Sequence, residues 1–212
     1  VGCAYGDFLR LAQDYGFDVS GVEIQDSLAE AARQRGFVVY GDTLEKLMLP
    51  RESFDAVTLW DVVEHVGDPR SLLAEAACLL KPGGVLLVHT GNAAFQVPKG
   101  RVLAALHPDR GPYNAPVHHF CHFSVKTFRA LLQLVGKFEY LEFSHLDTVR
   151  YPRKRKYTVM KTYNEIARLL SRLGLPLWTS SLVVFACKAT QNVQTHTVTD
   201  HPVEGCRRME SS

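Results

Sequence analysis

The chain has 212 residues, 46% of them hydrophobic and 22% charged, an ordinary globular composition with enough apolar side chains for one core. No apolar run approaches the ~20 residues that a membrane-spanning helix needs. The five cysteines (Cys3, Cys78, Cys121, Cys187 and Cys206) are scattered and contain no C-x-x-C pair, which argues against a disulfide scaffold or a zinc or thioredoxin-type site. Residues 1–10 lack the basic stretch and apolar core of a secretory signal, and the expected location is a reducing cytoplasm. The formal net charge of +2 conceals an asymmetry: residues 1–100 carry −6 and residues 101–212 carry +8.

The first ninety residues alternate helix and strand. Asp7 to Tyr15 puts Phe8, Leu9, Leu11 and Ala12 on one helical face, closed by Gly16. Phe17 to Glu23 reads as a strand, and Asp26 as the cap of a helix over 27–35 that Gly36 stops. Further strands are expected at Phe37 to Tyr40, Phe54 to Trp60 and Val85 to His89. A helix from Asp68-Pro69 to Leu80 precedes Lys81-Pro82-Gly83-Gly84. Apolar strands separated by helices predict an α/β fold with a doubly wound, mostly parallel sheet.

Beyond Thr90 the pattern changes. Residues 91–123 are rich in Gly, Pro and His and read as an irregular insertion, of a length that is usually functional. Ser124 then caps an amphipathic helix to Val135, and Phe138 to Phe143 and Leu182 to Cys187 read as strands. Arg150 to Lys156 is a basic run leading into a helix expected over 159–173. From Thr190 the chain is polar and aperiodic, which predicts a disordered tail over 189–212.

Val1-Gly2-Cys3-Ala4-Tyr5-Gly6-Asp7 is a tight glycine turn feeding a helix, the place where ligands lie in open parallel sheets. Glu23, at the end of the following strand, is suited to accept from both hydroxyls of a ribose. A dinucleotide fingerprint wants glycine at three positions, and here these hold Gly2, Ala4 and Asp7. An acid where a pyrophosphate must sit disfavours a nicotinamide dehydrogenase and favours a ligand with a cationic amino-acid end.

The segments VGCAYGDFL, SGVE, VYGD, FDAVTLWDVVEHVGDP, LLKPGGVLLV and HHFCHFSVKTFRALLQLVG together resemble the class I S-adenosylmethionine-dependent methyltransferases. The resemblance is strongest to their small-molecule branch, which includes ubiquinone-biosynthesis-type O-methyltransferases. It implies a Rossmann-like fold, S-adenosylmethionine as cofactor and methyl transfer to a small acceptor, with oxygen the expected nucleophile. It makes Gly2, Ala4 and Gly6 the turn around the methionine moiety. Glu23 would hold the ribose, Asp42 the adenine amino group, and Asp61 would line the cleft near the sulfonium. The family's first strand should precede Val1, so the sequence is expected to be N-terminally truncated. Residues 1–90 would then be the cofactor-binding core, 91–123 a substrate-side insertion and 124–188 the rest of the same domain.

His119 matches a family position facing the substrate cleft and is the expected catalytic residue, as a general base or as a substrate contact. His118, His119 and His122 have no acidic or Cys partner at helical or zinc-ribbon spacing, and no metal is expected. Trp60-Asp61-Val62-Val63 stands where base-methylating branches carry an Asn/Asp-Pro-Pro-aromatic motif, which argues against nucleobases as acceptors, and no DNA partner is expected. The basic run 150–156 is compatible with RNA or an acidic membrane, with a solvated loop as the plainer reading. A non-catalytic module docking acidic partners through that run is the alternative from another function class.

Overall fold

The computed structural model describes residues 1–106, 119–144 and 181–190, with Ile166, Leu169 and Thr179 as isolated positions. His118, the basic run 150–156, all but Ile166 and Leu169 of the helix expected over 159–173, and the tail beyond residue 190 lie outside the described residues.

The chain alternates as its periodicity predicts. Helix α1 (Asp7–Asp14) leads to β1 (Ser20–Val22), α2 (Asp26–Gln34) and β2 (Val38–Tyr40). Then come β3 (Phe54–Trp60), a short 3-10 turn at Val63–His65, α3 (Pro69–Leu79) and β4 (Leu80–Gly91). Strands β1 and β2 are shorter than their apolar runs suggest, and they pair in parallel. Asp26 is the first residue of α2 rather than its cap; Gln25 occupies that place without a side-chain bond. At α3 the expectation holds in atomic detail. Asp68 accepts from the Arg70 and Ser71 amides at 3.0 and 3.1 Å, while Pro69 takes the first helical position, where its missing N–H costs nothing.

The larger sheet has the order β3-β4-β6-β5, with β5 spanning Phe138–Ser144 and β6 Ser181–Lys188. β3 and β4 are parallel, with a register shift between Phe54 and Ala56 where the Lys81–Gly84 segment bulges out of the ladder. β6 runs antiparallel to both β4 and β5. Among the described residues, the parallel pairings therefore lie in the first half of the chain and the antiparallel ones at its C-terminal edge.

Part of the stretch expected to be irregular is helical. Residues Ala93–Leu106 form α4 despite Pro98 within it. The glycine and proline content of 91–123 hid this helix because its apolar residues follow no single face, and Val97, Val102 and Leu106 are exposed. Helix α5 (Val125–Val135) is the opposite case, a strongly amphipathic element with a complete capping box between Ser124 and Thr127.

One core lies where α3 and α5 cover β3, β4 and β6, with Leu73, Ala76, Leu86, Phe128, Val184 and Ala186 all fully buried. A smaller cluster of Leu9, Ala29, Ala32, Phe37 and Val39 joins α1 and α2 to β2. Phe128 packs edge-on to Phe123 at 5.1 Å, and this contact ties α5 to the segment that enters it. Truncation of Phe128 to Ala is expected to cost about 3–5 kcal/mol. Urea denaturation checks this, with a lower midpoint and an unchanged slope as the expected result.

Candidate active site

The opening turn sits at the carboxyl end of β1. The amides of Gly2 and Cys3 both donate to the Val22 carbonyl, at 2.7 and 3.1 Å, while the Val1 amine donates to the Thr58 carbonyl of β3 at 2.7 Å. Residues 1–3 thus lie between the two sheets. The turn is built from left-handed residues: Gly2 at φ +69°, Ala4 at +45° and Gly6 at +80°. Glycine is required twice for space as well as for φ. A Cβ on Gly2 would lie 2.4 Å from Val62 Cγ2, and one on Gly6 would lie 2.9 Å from the Phe37 ring. Ala4 has no such clash but carries the strain of a left-handed conformation, about 1–2 kcal/mol.

Glu23 holds that strained turn in place. Its Oε2 accepts from the Ala4 amide at 2.9 Å and its Oε1 from the Gln25 amide at 3.0 Å, and the residue is 8% exposed. A carboxylate offers about four acceptor positions, so two amides leave capacity for ribose hydroxyls. The sequence pattern offers Glu23 as a ribose contact; this clasp onto the turn it does not reveal. Asp7, whose charge argues against a pyrophosphate, forms an exposed 2.7 Å ion pair with Arg35. Such a pair at the surface is screened, and the negative character at the start of α1 persists.

Asp42 follows β2 and its Oδ1 accepts from the Thr43 amide at 2.7 Å, with Lys46 at 3.3 Å. That amide bond, then Lys46, holds its carboxyl below the usual carboxylate range. Asp61 follows β3 with a left-handed φ of +51°. Its amide donates to the His89 carbonyl at 3.0 Å, and its Oδ1 lies 2.9 Å from His89 Nδ1. The His89 ring is tilted against Trp60 at 5.7 Å, and Trp60 packs on Phe8 of α1 at 4.9 Å. The sequence pattern marks His89 only as the end of a strand. Its partnership with Asp61 depends on the register Trp60↔His89 between β3 and β4, which spacing along the chain does not reveal.

A second cluster forms beyond the 3-10 turn. The Phe120 and Cys121 amides donate to the Glu64 carbonyl at 2.9 and 3.2 Å, pinning the segment before α5 onto that turn. The His119 ring meets His65 edge-on at 4.6 Å and His122 at 5.8 Å. Glu64 is 2% exposed, and its Oε2 has no hydrogen-bond partner among the described residues. Glu64, His65 and His119 bring ligand-type atoms within 4.8 Å of one another. The fold therefore supplies the acidic neighbour that spacing along the chain does not. Burial, then the neighbouring His65 and, more weakly, His122, hold the His119 pKa below its ordinary 6.5.

Gly2, Ala4, Gly6, Glu23, Asp42 and Asp61 thus gather at the carboxyl ends of β1, β2 and β3, where ligands lie in open α/β sheets. A separate cavity lined by Arg51, Cys78, Lys137 and Lys188 lies at the opposite ends of β3 and β4. A model of a methyltransferase domain matches residues 1–142. The chain belongs to the class I S-adenosylmethionine-dependent methyltransferase family.

Its fold is the α/β Rossmann-like fold of that family. The chain is 37% identical over 97 residues to a ubiquinone biosynthesis O-methyltransferase of Rhodopseudomonas palustris, a match over 43% of the chain and 38% of that relative's length. In solved structures it is similar to an S-adenosylmethionine-dependent methyltransferase of Thermotoga maritima. The TM-score is 0.60 at 20% identity, over 88% of this chain and 79% of that one. A phosphoethanolamine N-methyltransferase of Haemonchus contortus, solved with S-adenosylmethionine bound, matches at TM-score 0.55 and 15% identity. That match covers 90% of this chain and 47% of the other. These distant likenesses bear on fold. Among the described residues, no helix is long and apolar enough to cross a membrane.

The depressed His119 pKa has a consequence for stability. Below pH 6.5 the unfolded chain takes up a proton at this position that the folded chain resists, so this residue makes folding less favourable as pH falls. Urea denaturation at pH 7.5 and 5.5 is expected to show a smaller acid-side loss in His119→Gln than in the parent chain. An identical loss in both would contradict the assignment.

Proposed function

We propose that the chain binds S-adenosylmethionine through Gly2, Ala4, Gly6, Glu23, Asp42 and Asp61. Its methyl passes to a small-molecule acceptor, with an oxygen as the nucleophile. The observation that carries this reading is the buried Glu23, clasped to the left-handed turn with acceptor capacity left over. The donor, when bound, supplies a sulfonium methyl already activated for transfer. The chain's residues then have to hold and align. The turn would leave backbone close to the methionine moiety, Glu23 would take the ribose hydroxyls and Asp42 the adenine amino group, and Asp61 would face the sulfonium.

On the acceptor side, His119 is held against the 3-10 turn by the Phe120 and Cys121 amides. Its lowered pKa keeps the imidazole neutral near pH 7, so it can accept a hydrogen bond from a hydroxyl. Alignment of nucleophile and methyl with water excluded supplies much of the rate for a donor of this kind. An oxygen acceptor agrees with the Rhodopseudomonas relative, an O-methyltransferase, and the lack of a nucleobase-type motif after β3 points the same way.

Calorimetric titration tests the cofactor assignment. S-adenosylhomocysteine is expected to bind while NAD and NADP do not, and Glu23→Ala is expected to weaken binding by about 1.5–3 kcal/mol through lost charge-assisted bonds. NAD binding, or unchanged affinity in that variant, would overturn the assignment. Transfer of a radiolabelled methyl to a metabolite pool separates an enzyme from a silent docking module. For His119→Ala the expected kinetic effect is a raised KM. A fall in turnover of ~10²–10⁴ with loss of an ionisation from the pH profile would mark it as the base instead.

A further inference from the structure

We infer that His89, oriented by Asp61, takes the proton from the acceptor hydroxyl during methyl transfer. The inference rests on the methyl-transfer reading above. Its starting point is a pair that the chain builds across two strands. Asp61 Oδ1 lies 2.9 Å from His89 Nδ1, and the Asp61 amide donates to the His89 carbonyl at 3.0 Å. The acid is therefore fixed to the histidine residue at two points, one through its backbone and one through its side chain.

That arrangement is costly to build. Asp61 adopts φ +51°, a conformation that costs a non-glycine residue of order 1–3 kcal/mol and persists where surrounding contacts over-determine it. Here the two links to His89 do so. The ring is also fixed from the side, tilted on Trp60, which is backed by Phe8. A carboxylate that accepts from Nδ1–H leaves the Nε2 lone pair as the only basic position of the ring, and it stabilises the imidazolium that forms when Nε2 takes a proton. The Asp61 contact is made through Nδ1, which leaves Nε2 as the nitrogen to meet an acceptor. His89 lies near the carboxyl ends of β3 and β4, the side of an open α/β sheet on which ligands lie.

His119 is set differently. Burial and the His65 ring, with His122 more weakly, oppose its taking a charge and outweigh the nearby Glu64 and Asp61 carboxylates, which favour it. On this account the two imidazoles divide the work: His119 orients the acceptor, while His89, held by Asp61, takes the proton. In the step, the acceptor O–H bond breaks as Nε2–H forms, and the oxygen bonds to the methyl carbon as the carbon–sulfur bond breaks. The sulfonium charge is lost with that bond, and the proton on Nε2 passes to solvent after product leaves. His89 is a catalytic residue on this account and Asp61 a positioning residue.

Two measurements on the whole chain test the inference. The first is nitrogen-15 NMR of His89 with S-adenosylhomocysteine present. The parent chain is expected to hold the Nδ1–H tautomer and Asp61→Asn to lose that preference; an Nε2–H tautomer in the parent would overturn the assignment. The second is turnover at saturating S-adenosylmethionine with a panel of phenols and catechols. His89→Gln is expected to lose ~10²–10⁴-fold in kcat and the acidic limb of the kcat profile, with S-adenosylhomocysteine affinity retained. Asp61→Asn is expected to lower kcat in the same way. If Asp61→Asn weakens cofactor binding while kcat and its pH profile stay normal, Asp61 serves the cofactor alone and the inference falls. If the parent chain binds the cofactor yet methylates none of these acceptors, the oxygen reading itself fails, and this inference with it.

Discussion

The arrangement of the cofactor side depends on one buried carboxylate. Glu23 sits where β1 ends and reaches in two directions, to the Ala4 amide in the opening turn and to the Gln25 amide before α2. The Gly2 and Cys3 amides anchor the start of the turn on the Val22 carbonyl, and Glu23 fixes Ala4, the one left-handed residue there that is not glycine. An ionised acceptor bonded to two amides is stronger than a neutral one, and its burial leaves few other directions in which to point. The same group has acceptor capacity left for ribose hydroxyls, so the residue that shapes the turn is also the proposed ligand contact.

Strand ends do the rest of the positioning. The parallel pairing of β3 with β4 brings Trp60 opposite His89, and the left-handed residue that follows Trp60 brings Asp61 back onto that histidine. The 3-10 turn after β3 then receives the 119–121 segment through the Glu64 carbonyl. Of the three non-glycine residues with left-handed φ among the described residues, Ala4 and Asp61 lie at the carboxyl strand ends, while Glu52 lies at the opposite end, before β3.

Much of this was legible in the residues, and the exceptions have physical causes. The β3 strand, the Asp68-Pro69 helix start and the Ser124 cap depend on neighbours within a few positions, and short-range chemistry reveals such features. Helix α4 was hidden because it presents no consistent apolar face and contains Pro98. The glycine turn at Gly2 and Gly6 and the strand-end acid Glu23 stand out in the sequence, and Asp42 is reached through the family resemblance. His89 and the Glu64 contact to the histidine cluster were not, because they arise from strand register and from a segment some 55 residues away in sequence folding back. The chain also places antiparallel β6 between β4 and β5, a topology that apolar patterning cannot order.

The account's central claim is the location of the cofactor at the carboxyl ends of β1, β2 and β3. A crystal structure of the chain with S-adenosylhomocysteine tests it most directly. The account predicts the ribose against Glu23, the amino-acid end against the Gly2–Gly6 turn and the adenine beside Asp42. Ligand bound instead at the opposite strand ends, in the cavity lined by Arg51, Lys137 and Lys188, or a ribose out of reach of Glu23, would contradict it.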